Sequence, residues 1–566
     1  MVRIEGGSEY ELTRAFLGES AGRLIRLLFV GIILASCTAI YGAMAGPILK
    51  LSIARGEIDM PSWLQVFGIA ESQNQASFFT VIMPLIVGAA VAKGVFSYLF
   101  LVERTQFGHR VSRYLREDLF ARIERGGLDE IESVGKGDLV ARFIYDIELV
   151  ERMFSDGIVR SGQALIEVVL LFLLCLSLDW QLAALFFLIY PIVLIPLLRI
   201  TRQLKRESKS SQEAIAATAN IVQEQLHANK VIQSLHYPGI LRQRLNSAIE
   251  NVYASSLRAV KLKAVSSPIA EVMGACALCL TVGVCIWRLT GDSGSGENSL
   301  SFIACLLLMY RPIKQIGELP QLLAPGRAAL SRIATLPLGS GGASGTQSME
   351  ASKGITLDNL GVKRGGKWVF RQLTCHLDFG QLVLISGRNG SGKSSLIDVL
   401  LGLREASEGT VLFGGVSSAD AHLASWRAQI GWLTQDSLLL EGSLLDNILM
   451  GRECYRIADV YETWQRLGFE IEGSPETFFS RKLKPEGTGL SGGERRKLLM
   501  TRACIGEPPI LILDEPDAFQ DVPGKQAIDS LIESLRGRCL VIVVSHDESL
   551  KTKVDLHLEL TSGWEE

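Results

Sequence analysis

Six apolar runs constrain this chain more than any other feature. Residues 27–49, 78–102, 164–180, 182–200, 264–287 and 300–323 are each close to the ~20 residues an α-helix needs to cross a bilayer. Lipid offers no partners to backbone N–H and C=O groups, so runs of this kind are expected as helices. Only the Trp180-Gln181 corner separates the third from the fourth. Hydrophobic residues make up 48% of the 566, and net charge is -3 from 57 Lys+Arg against 60 Asp+Glu. That apolar excess is too high for an ordinary soluble enzyme, and no basic surplus points to nucleic acid. The ten cysteines are scattered and form no disulfide framework. Cys276 and Cys279, inside an apolar run, read as small buried hydrophobes.

The connections alternate in charge. Residues 52–75 carry only Arg55 as a base and 289–299 carry none, whereas 103–163 and 201–263 are rich in arginine and lysine. The positive-inside rule places those two long segments, and both termini, in the cytosol. Residues 8–24 are compatible with an amphipathic surface helix. Glu5, Glu9 and Glu11 argue against a cleavable secretory signal. Pro320 and Pro325 are expected to close the last span, and 339–345 is a glycine- and serine-rich linker. The expected organisation is a membrane α-helical domain over 1–337, a linker over 338–353, and a soluble α/β P-loop domain over 354–566.

Within the soluble part, Gly387-Arg388-Asn389-Gly390-Ser391-Gly392-Lys393-Ser394 matches the phosphate-cradling pattern G-x-x-x-x-G-K-[ST] without a departure. An apolar run over 381–386 reads as the strand before it, and 394–403 as the helix after it. Backbone N–H groups of such a loop surround phosphate oxygens, Lys393 reaches the β- and γ-phosphates, and the Ser394 hydroxyl holds Mg²⁺, with Ser395 beside it. A second apolar strand ends in Asp514 and Glu515, a carboxylate for the Mg²⁺ shell and a base for the attacking water. Leu490-Ser491-Gly492-Gly493-Glu494 precedes another helix. Its N-terminus suits a phosphate held by a second copy of the chain.

Together these motifs resemble the ATP-binding cassette exporters. The loop 387–394 corresponds to their Walker A, 511–515 to Walker B, and 490–494 to the signature, with Glu494 where Gln is commoner. Gln435 matches the Q-loop and a Mg²⁺ contact, His546 the switch histidine, and Asp521 the end of the D-loop. The resemblance implies a type IV exporter fold with six spans, ATP and Mg²⁺ as cofactors, and a homodimer whose composite sites pair Lys393 with Ser491, Gly492 and Gly493 of the other copy. Residues 137–146 resemble the first coupling segment and 223–236 the second. Arg364 stands where the family places an aromatic residue against adenine, with Trp368 nearby.

Segments around Lys93, Ser266–Glu271 and Tyr310–Lys314 resemble spans of the MsbA-type lipid A flippases. That resemblance implies that Lys93 and Lys314 line a cavity and meet lipid phosphates, although a third basic position of those flippases falls on Gln163, a turn from Arg160. By their charge, Lys93, Arg311 and Lys314 could form a basic ring for an anionic headgroup. Charge inside a span is costly and usually faces a cavity or a partner. The alternatives are that Arg311 and Lys314 snorkel to the surface, or that Glu271 pairs with Lys93. The leading expectation is an ATP-driven flippase moving a lipid A-like amphipath across an inner membrane. The alternative within transport is a multidrug or peptide exporter. From other classes come an ATP-gated channel, which would pass ions without turnover, and a soluble regulatory or DNA-repair ATPase, which the spans argue against.

Overall fold

The computed structural model describes residues 9–53, 58–59, 72–73, 83–227, 234, 239–290, 296–338, 345–434, 438–484, 490–516 and 522–560. The chain divides into two compact units. One holds residues 1–120 and 137–336, the other 121–136 and 337–566.

The first unit is helical. Its long elements are α1 (Glu9–Ile53), α2 (Met83–Arg125), a third rod over Lys136–Leu178, α7 (Trp180–His227), α8 (Gly239–Thr290) and α9 (Gly296–Ala334). The described residues of the six apolar runs lie on these helices, Asp179 apart, the run 164–180 reaching past Leu178 onto the first residue of α7. Before the third rod, Leu128–Val134 forms a short helix, α3, which belongs to the second unit. The rod itself is α4 (Lys136–Ala141), a π-helical turn (Arg142–Asp146), α5 (Ile147–Arg152), a second π-helical turn (Met153–Val159) and α6 (Arg160–Leu178). The break between the third and fourth spans lies at Asp179, one residue before the expected corner. Asp179 is extended, and its Oδ1 accepts from the backbone N–H of Gln181 and Leu182 at 2.9 and 3.1 Å, a side-chain cap for α7.

Two expectations for this unit are corrected. Pro320 and Pro325 do not end the helix that carries the last span. α9 runs through Pro312, Pro320 and Pro325 to Ala334. A proline removes one ladder bond and kinks a helix, but neighbouring helices and local adjustment make that tolerable in a bundle. Cys276 and Cys279 are exposed on α8 rather than buried. An apolar residue in a span answers to lipid as readily as to a protein core, so hydropathy alone does not say which.

α1 packs on α6 and α9, α6 on α9, and α7 along α8. Leu171 and Cys175 of α6, Leu182 and Ala183 of α7, and Phe302, Cys305 and Met309 of α9 form a buried cluster. α1 comes close to it at Gly42. A Cβ placed there would lie 2.6 Å from Cys305 Sγ, and the next atom, Leu308 Cδ1, is 3.5 Å away. One turn of the same interface is tied by Ser301 Oγ donating to Ala43 O at 3.0 Å. Lower down, Asp146 is buried at the end of its π-turn and accepts two bonds from Arg332 of α9, at 2.9 and 2.5 Å.

The second unit is an α/β domain with two main sheets, beside a small two-stranded one formed by Gly442–Ser443 and Lys482–Leu483. The antiparallel sheet has the order β2-β1-β4-β5, formed by β1 (Ile355–Arg364), β2 (Lys367–Leu377), β4 (Glu408–Phe413) and β5 (Val416–Ser417). The parallel sheet has the order β9-β3-β8-β7-β6, formed by β3 (Leu382–Gly387), β6 (Ile430–Leu433), β7 (Ile510–Asp514), β8 (Leu540–Val544) and β9 (Leu556–Leu560). β7 and β8 are buried along their whole length, which is why they read as unbroken apolar runs rather than alternating ones. Successive residues still serve opposite faces. Val383, Ile385, Ile510, Ile512, Ile542 and Val544 join the core beneath the helix α10 (Lys393–Leu400), while Leu384, Leu511, Leu513, Val541 and Val543 join the core on the other side. Of the stretch expected as a linker, Met349 and Ala351 are buried in the first of these cores, and 339–344 lie outside the described residues.

The close approach at Gly42 gives a pair test. Gly42→Ala should cost about 1–3 kcal/mol, as overpacking does, because its methyl meets Cys305 Sγ. Cys305→Ala in the same chain should return most of that loss. Thermal unfolding in detergent of both single variants and the double would read the coupling, and strict additivity would show that the two residues do not meet.

Candidate nucleotide site

Strand register assembles the site. In the parallel sheet Ile385 of β3 lies opposite Val544 of β8, and Val544 opposite Asp514 of β7. The loop after β3, the acids ending β7 and the residues after β8 therefore leave the sheet along one carboxyl edge, the usual place for ligands in such sheets.

The loop needs its glycines. Gly387, Gly390 and Gly392 have φ of +150°, +83° and +97°. A Cβ on Gly392 would stand 2.4 Å from Val369 Cγ1 and 2.9 Å from Phe370, so the loop lies directly against β2. Arg388, Asn389 and Gly390 are exposed, as is Ser394 at the start of α10, whereas Ser395 is buried beneath. Ser391 is fully buried, and its hydroxyl has no hydrogen-bond partner. Lys393 Nζ donates to Gly387 O at 2.8 Å and Arg388 O at 3.3 Å, an ammonium folded across the mouth of the loop. An orphaned buried hydroxyl, a loop with no room for a Cβ at Gly387 or Gly392 and a lysine bonded to loop carbonyls fit a triphosphate.

Across the edge, Asp514 is buried and its carboxyl is pushed up to about 6, by burial first and by neighbouring Glu515 second, against the pull of Arg496 and Lys393. A divalent cation beside it would relieve that desolvated, doubly acidic corner. Glu515 takes a left-handed conformation at φ +47°, held by its N–H donating to Val544 O at 2.9 Å. That turn brings Oε1 to 3.8 Å from Nε2 of His546. Gln435 and Asp521 lie outside the described residues.

The signature stretch forms a helix N-terminus. Ser491 caps α11 (Gly492–Cys504). Its Oγ accepts from Glu494 N at 3.2 Å, while Glu494 accepts from the Ser491 N–H and O–H, both at 2.8 Å. These bonds hold the Glu494 carboxyl below the usual glutamate range. A glutamate in place of glutamine thus closes a capping box. Gly492 and Gly493 leave the approach to this terminus open, since a Cβ on either would meet nothing within 4 Å.

The motifs did not single out Arg496, on the same helix. It is buried, and its guanidinium donates to Thr434 O at 3.0 Å, to Asp514 O at 2.8 Å and to Glu515 O. One side chain therefore ties α11 to both acids and to the residue before Gln435. Only its position two residues past the signature could have drawn attention to it.

The expected first coupling segment is also corrected. The stretch that packs as part of the nucleotide unit is 121–136, which holds α3, whereas 137–146 belongs to the helical unit. Arg404 pairs with Asp129 and Glu132 of α3, and Arg364 pairs with Glu132. Gly135, at φ +86°, ends α3 and turns the chain into the third rod, where Arg142 pairs with Asp138 at 2.6 Å. The acidic run from Asp129 to Glu132, between Gly126-Gly127 and Gly135, was the available signal. Of the second expected segment, 228–233 and 235–236 lie outside the described residues.

In the helical unit Lys93 is half-buried on α2, with Nζ 5.2 Å from the centroid of the Tyr41 ring on α1. Arg311 and Lys314 are exposed on α9. Gln163 is buried and donates to Glu167 at 2.9 Å. The Glu271 side chain lies outside the described residues.

Family models match along the chain in the same order. Residues 44–313 match the ABC transporter transmembrane region, and residues 370–518 match the model described as ABC transporter. The chain belongs to the ATP-binding cassette transporters. Proteins named ATP-dependent lipid A-core flippase are similar to it over most of their length. The one from Desulfotalea psychrophila is 24% identical over 477 residues, 83% of each chain. The one from Pseudomonas aeruginosa is 26% identical over 495 residues, 85% of this chain and 80% of the relative. Among solved structures, a bacterial Atm1-family ABC exporter with ATP bound superposes with a TM-score of 0.77 at 18% identity, covering 96% of this chain and 94% of that one. The transporter thus has the exporter fold, a membrane domain followed by an ATPase domain, and couples ATP hydrolysis to transport.

Two outcomes are expected of the ATPase domain. Arg496→Ala should lower its stability by about 2 kcal/mol or more, since removing the guanidinium leaves buried carbonyls unsatisfied. It should lower turnover with it, and Arg496→Lys should recover only part, lacking the planar fork. Wild-type unfolding and turnover in Arg496→Ala would refute the tie. For Asp514 the native pKa exceeds the unfolded one, so native stability falls as pH rises from about 3.8 to about 6. Asp514→Asn should therefore raise the melting temperature of the unliganded transporter more at pH 7.5 than at pH 5. A gain independent of pH would count against the raised pKa.

Proposed function

We propose that the transporter is a homodimeric flippase that moves a lipid A-like amphipath from the inner to the outer leaflet of the inner membrane, with its ATPase domains in the cytosol. The observation that carries this reading is the run of relatives named lipid A-core flippase, matched over four-fifths or more of their length, on a chain with Lys93 inside a span and Arg311 and Lys314 exposed on α9. Such bases suit an anionic headgroup in a low-dielectric cavity. Basic residues crowd 103–163 and 201–263 alone among the connections, which supports the cytosolic placement of the ATPase domains.

In the chemical step, the N–H groups of the loop 387–394 and Lys393 hold the phosphates. Ser394, Gln435 and Asp514 would hold Mg²⁺, whose charge would offset that of the phosphates when bound. Glu515 accepts the proton of the attacking water, and His546, 3.8 Å from it, keeps that carboxylate aimed. Ser491, Gly492 and Gly493 of the second copy close over the γ-phosphate, with the open helix terminus supplying the donors.

Two measurements in nanodiscs test the proposal. Glu515→Gln should retain ATP binding while steady-state hydrolysis falls to near zero, because the cradle stays and the water loses its base. Near-normal turnover would assign that role elsewhere. Across a panel of lipids, lipid A should stimulate hydrolysis. In Lys93→Ala/Lys314→Ala the half-stimulating lipid concentration should rise about tenfold or more for each lysine that had paired with a phosphate. A double variant stimulated by lipid A like the wild type would favour a multidrug or peptide exporter.

A further inference from the structure

The phosphate loop leaves the sheet at Gly387, and β9 stands beside that departure. β9 is an edge strand, paired with β3 from Leu556 opposite Val383 to Leu560 opposite Gly387. At Gly387 the two backbones are in close contact. A Cβ there would lie 2.5 Å from Leu560 O and 2.6 Å from Ser391 Oγ. Gly387 is thus wedged between the last carbonyl of β9 and the buried hydroxyl inside the loop. Where β9 sits decides where the loop begins.

Side chains tie β9 to β3 at two places. Just before β9, the Asp555 carboxylate accepts from the Leu382 N–H at 2.8 Å, which holds the amino end of β3. The second tie is at the carboxyl end. His557 is level with Leu384, yet its Nε2 lies 2.7 Å from the hydroxyl of Ser386, two residues further along β3 and the last before Gly387. The imidazole therefore reaches forward along the sheet to the root of the loop. Val383, Ile385, Leu556 and Leu558 serve the core beneath α10, so Ser386 and His557 meet on the opposite face. Only 9% of Ser386 is exposed, and a hydroxyl so placed needs its partner. The strand register is already held by backbone bonds. What the side-chain bond adds is a constraint at the point where ladder bonds run out and the chain turns into the loop.

We propose that His557 is a positioning residue for ATP binding: through Ser386 it holds the carboxyl end of β3 against β9, and so keeps Gly387 and the phosphate loop that starts there in the shape that receives the phosphates. Either direction of the bond serves, since imidazole Nε2 accepts from the serine O–H in one tautomer and donates to its oxygen in the other. Without the bond the end of β3 gains freedom, and ATP must order the loop as it binds, which weakens binding. The chemical step depends on Asp514 and Glu515 at the end of another strand and is left as it was. The assignment rests on ATP occupying the loop 387–394.

Steady-state hydrolysis by the full-length transporter in nanodiscs separates loop geometry from chemistry. His557→Ala should raise the KM for Mg–ATP about fivefold, the loss expected of one net hydrogen bond, with kcat within about twofold of wild type. Ser386→Ala should do the same, and the double variant should be no worse than either single one, because both changes remove one bond. His557→Gln should recover most of the loss, since the amide can bond the Ser386 hydroxyl as the ring does. A KM in His557→Ala within about twofold of wild type, whatever its melting temperature, would make the residue purely structural and overturn the proposal. So would losses that multiply in the double variant, or a fall in kcat with KM unmoved. If His557→Ala did not fold, Ser386→Ala would decide, and a wild-type KM there would overturn the proposal. A wild type that hydrolysed no ATP would instead overturn the nucleotide reading beneath it.

Discussion

Three parallel strands in register are the constraint on which the catalytic half depends. With β3, β8 and β7 side by side, and Ile385, Val544 and Asp514 level with one another, the phosphate loop, the two acids and His546 have one edge from which to emerge. Peptide groups just past a strand end lose their ladder partners. Thr434 and Glu515 are such groups, Asp514 is the last residue of its strand, and Arg496 supplies donors to all three carbonyls. The helix that begins with the signature is in this way bonded to the strand ends that carry the acids. Displacing Ser491 relative to Glu515 would require breaking charge-assisted bonds in a buried setting, where they are strongest.

A different constraint governs the helical half. Every backbone group in a span must be satisfied within the protein, so the long rods persist through Pro268, Pro312, Pro320 and Pro325. Specific packing falls to small residues and a few polar pairs, as at Gly42 against Cys305 and at Asp146 with Arg332. Much of the remaining surface is apolar. Val87, Val91, Val95 and Tyr98 of α2 are all more than half exposed on the chain. In a soluble protein that face would be a liability, whereas in a bilayer or between two copies it is the expected state.

Charged pairs hold α3 within the nucleotide unit. Arg404 is almost wholly buried, with Asp129, Glu132 and Asp398 around it, and burial pushes the Asp398 carboxyl up while Arg404 pulls it down. A buried guanidinium is tolerable only when paired in this way. α3 is therefore fixed to the nucleotide domain by charge.

Sequence alone determined the features that local spacing encodes. Six apolar runs of bilayer length imply six helices, and the loop 387–394 and the acids 514–515 imply phosphate chemistry, because both patterns are written in neighbouring residues. The observed strands Leu382–Gly387 and Ile510–Asp514 fall within one residue of the runs that announced them. Hydropathy could not say whether Cys276 and Cys279 face protein or lipid, nor could proline content say where α9 stops, since both depend on what packs alongside. Tertiary structure alone decided which segment joins the nucleotide domain, which arginine ties the acids to the signature helix, and what Arg364 holds. Arg364 and Glu132 are 232 residues apart in the chain, and Arg496 reaches carbonyls 18, 19 and 62 residues away. A long side chain with five donors finds its acceptors through space, and no periodicity in the sequence records where those acceptors will be.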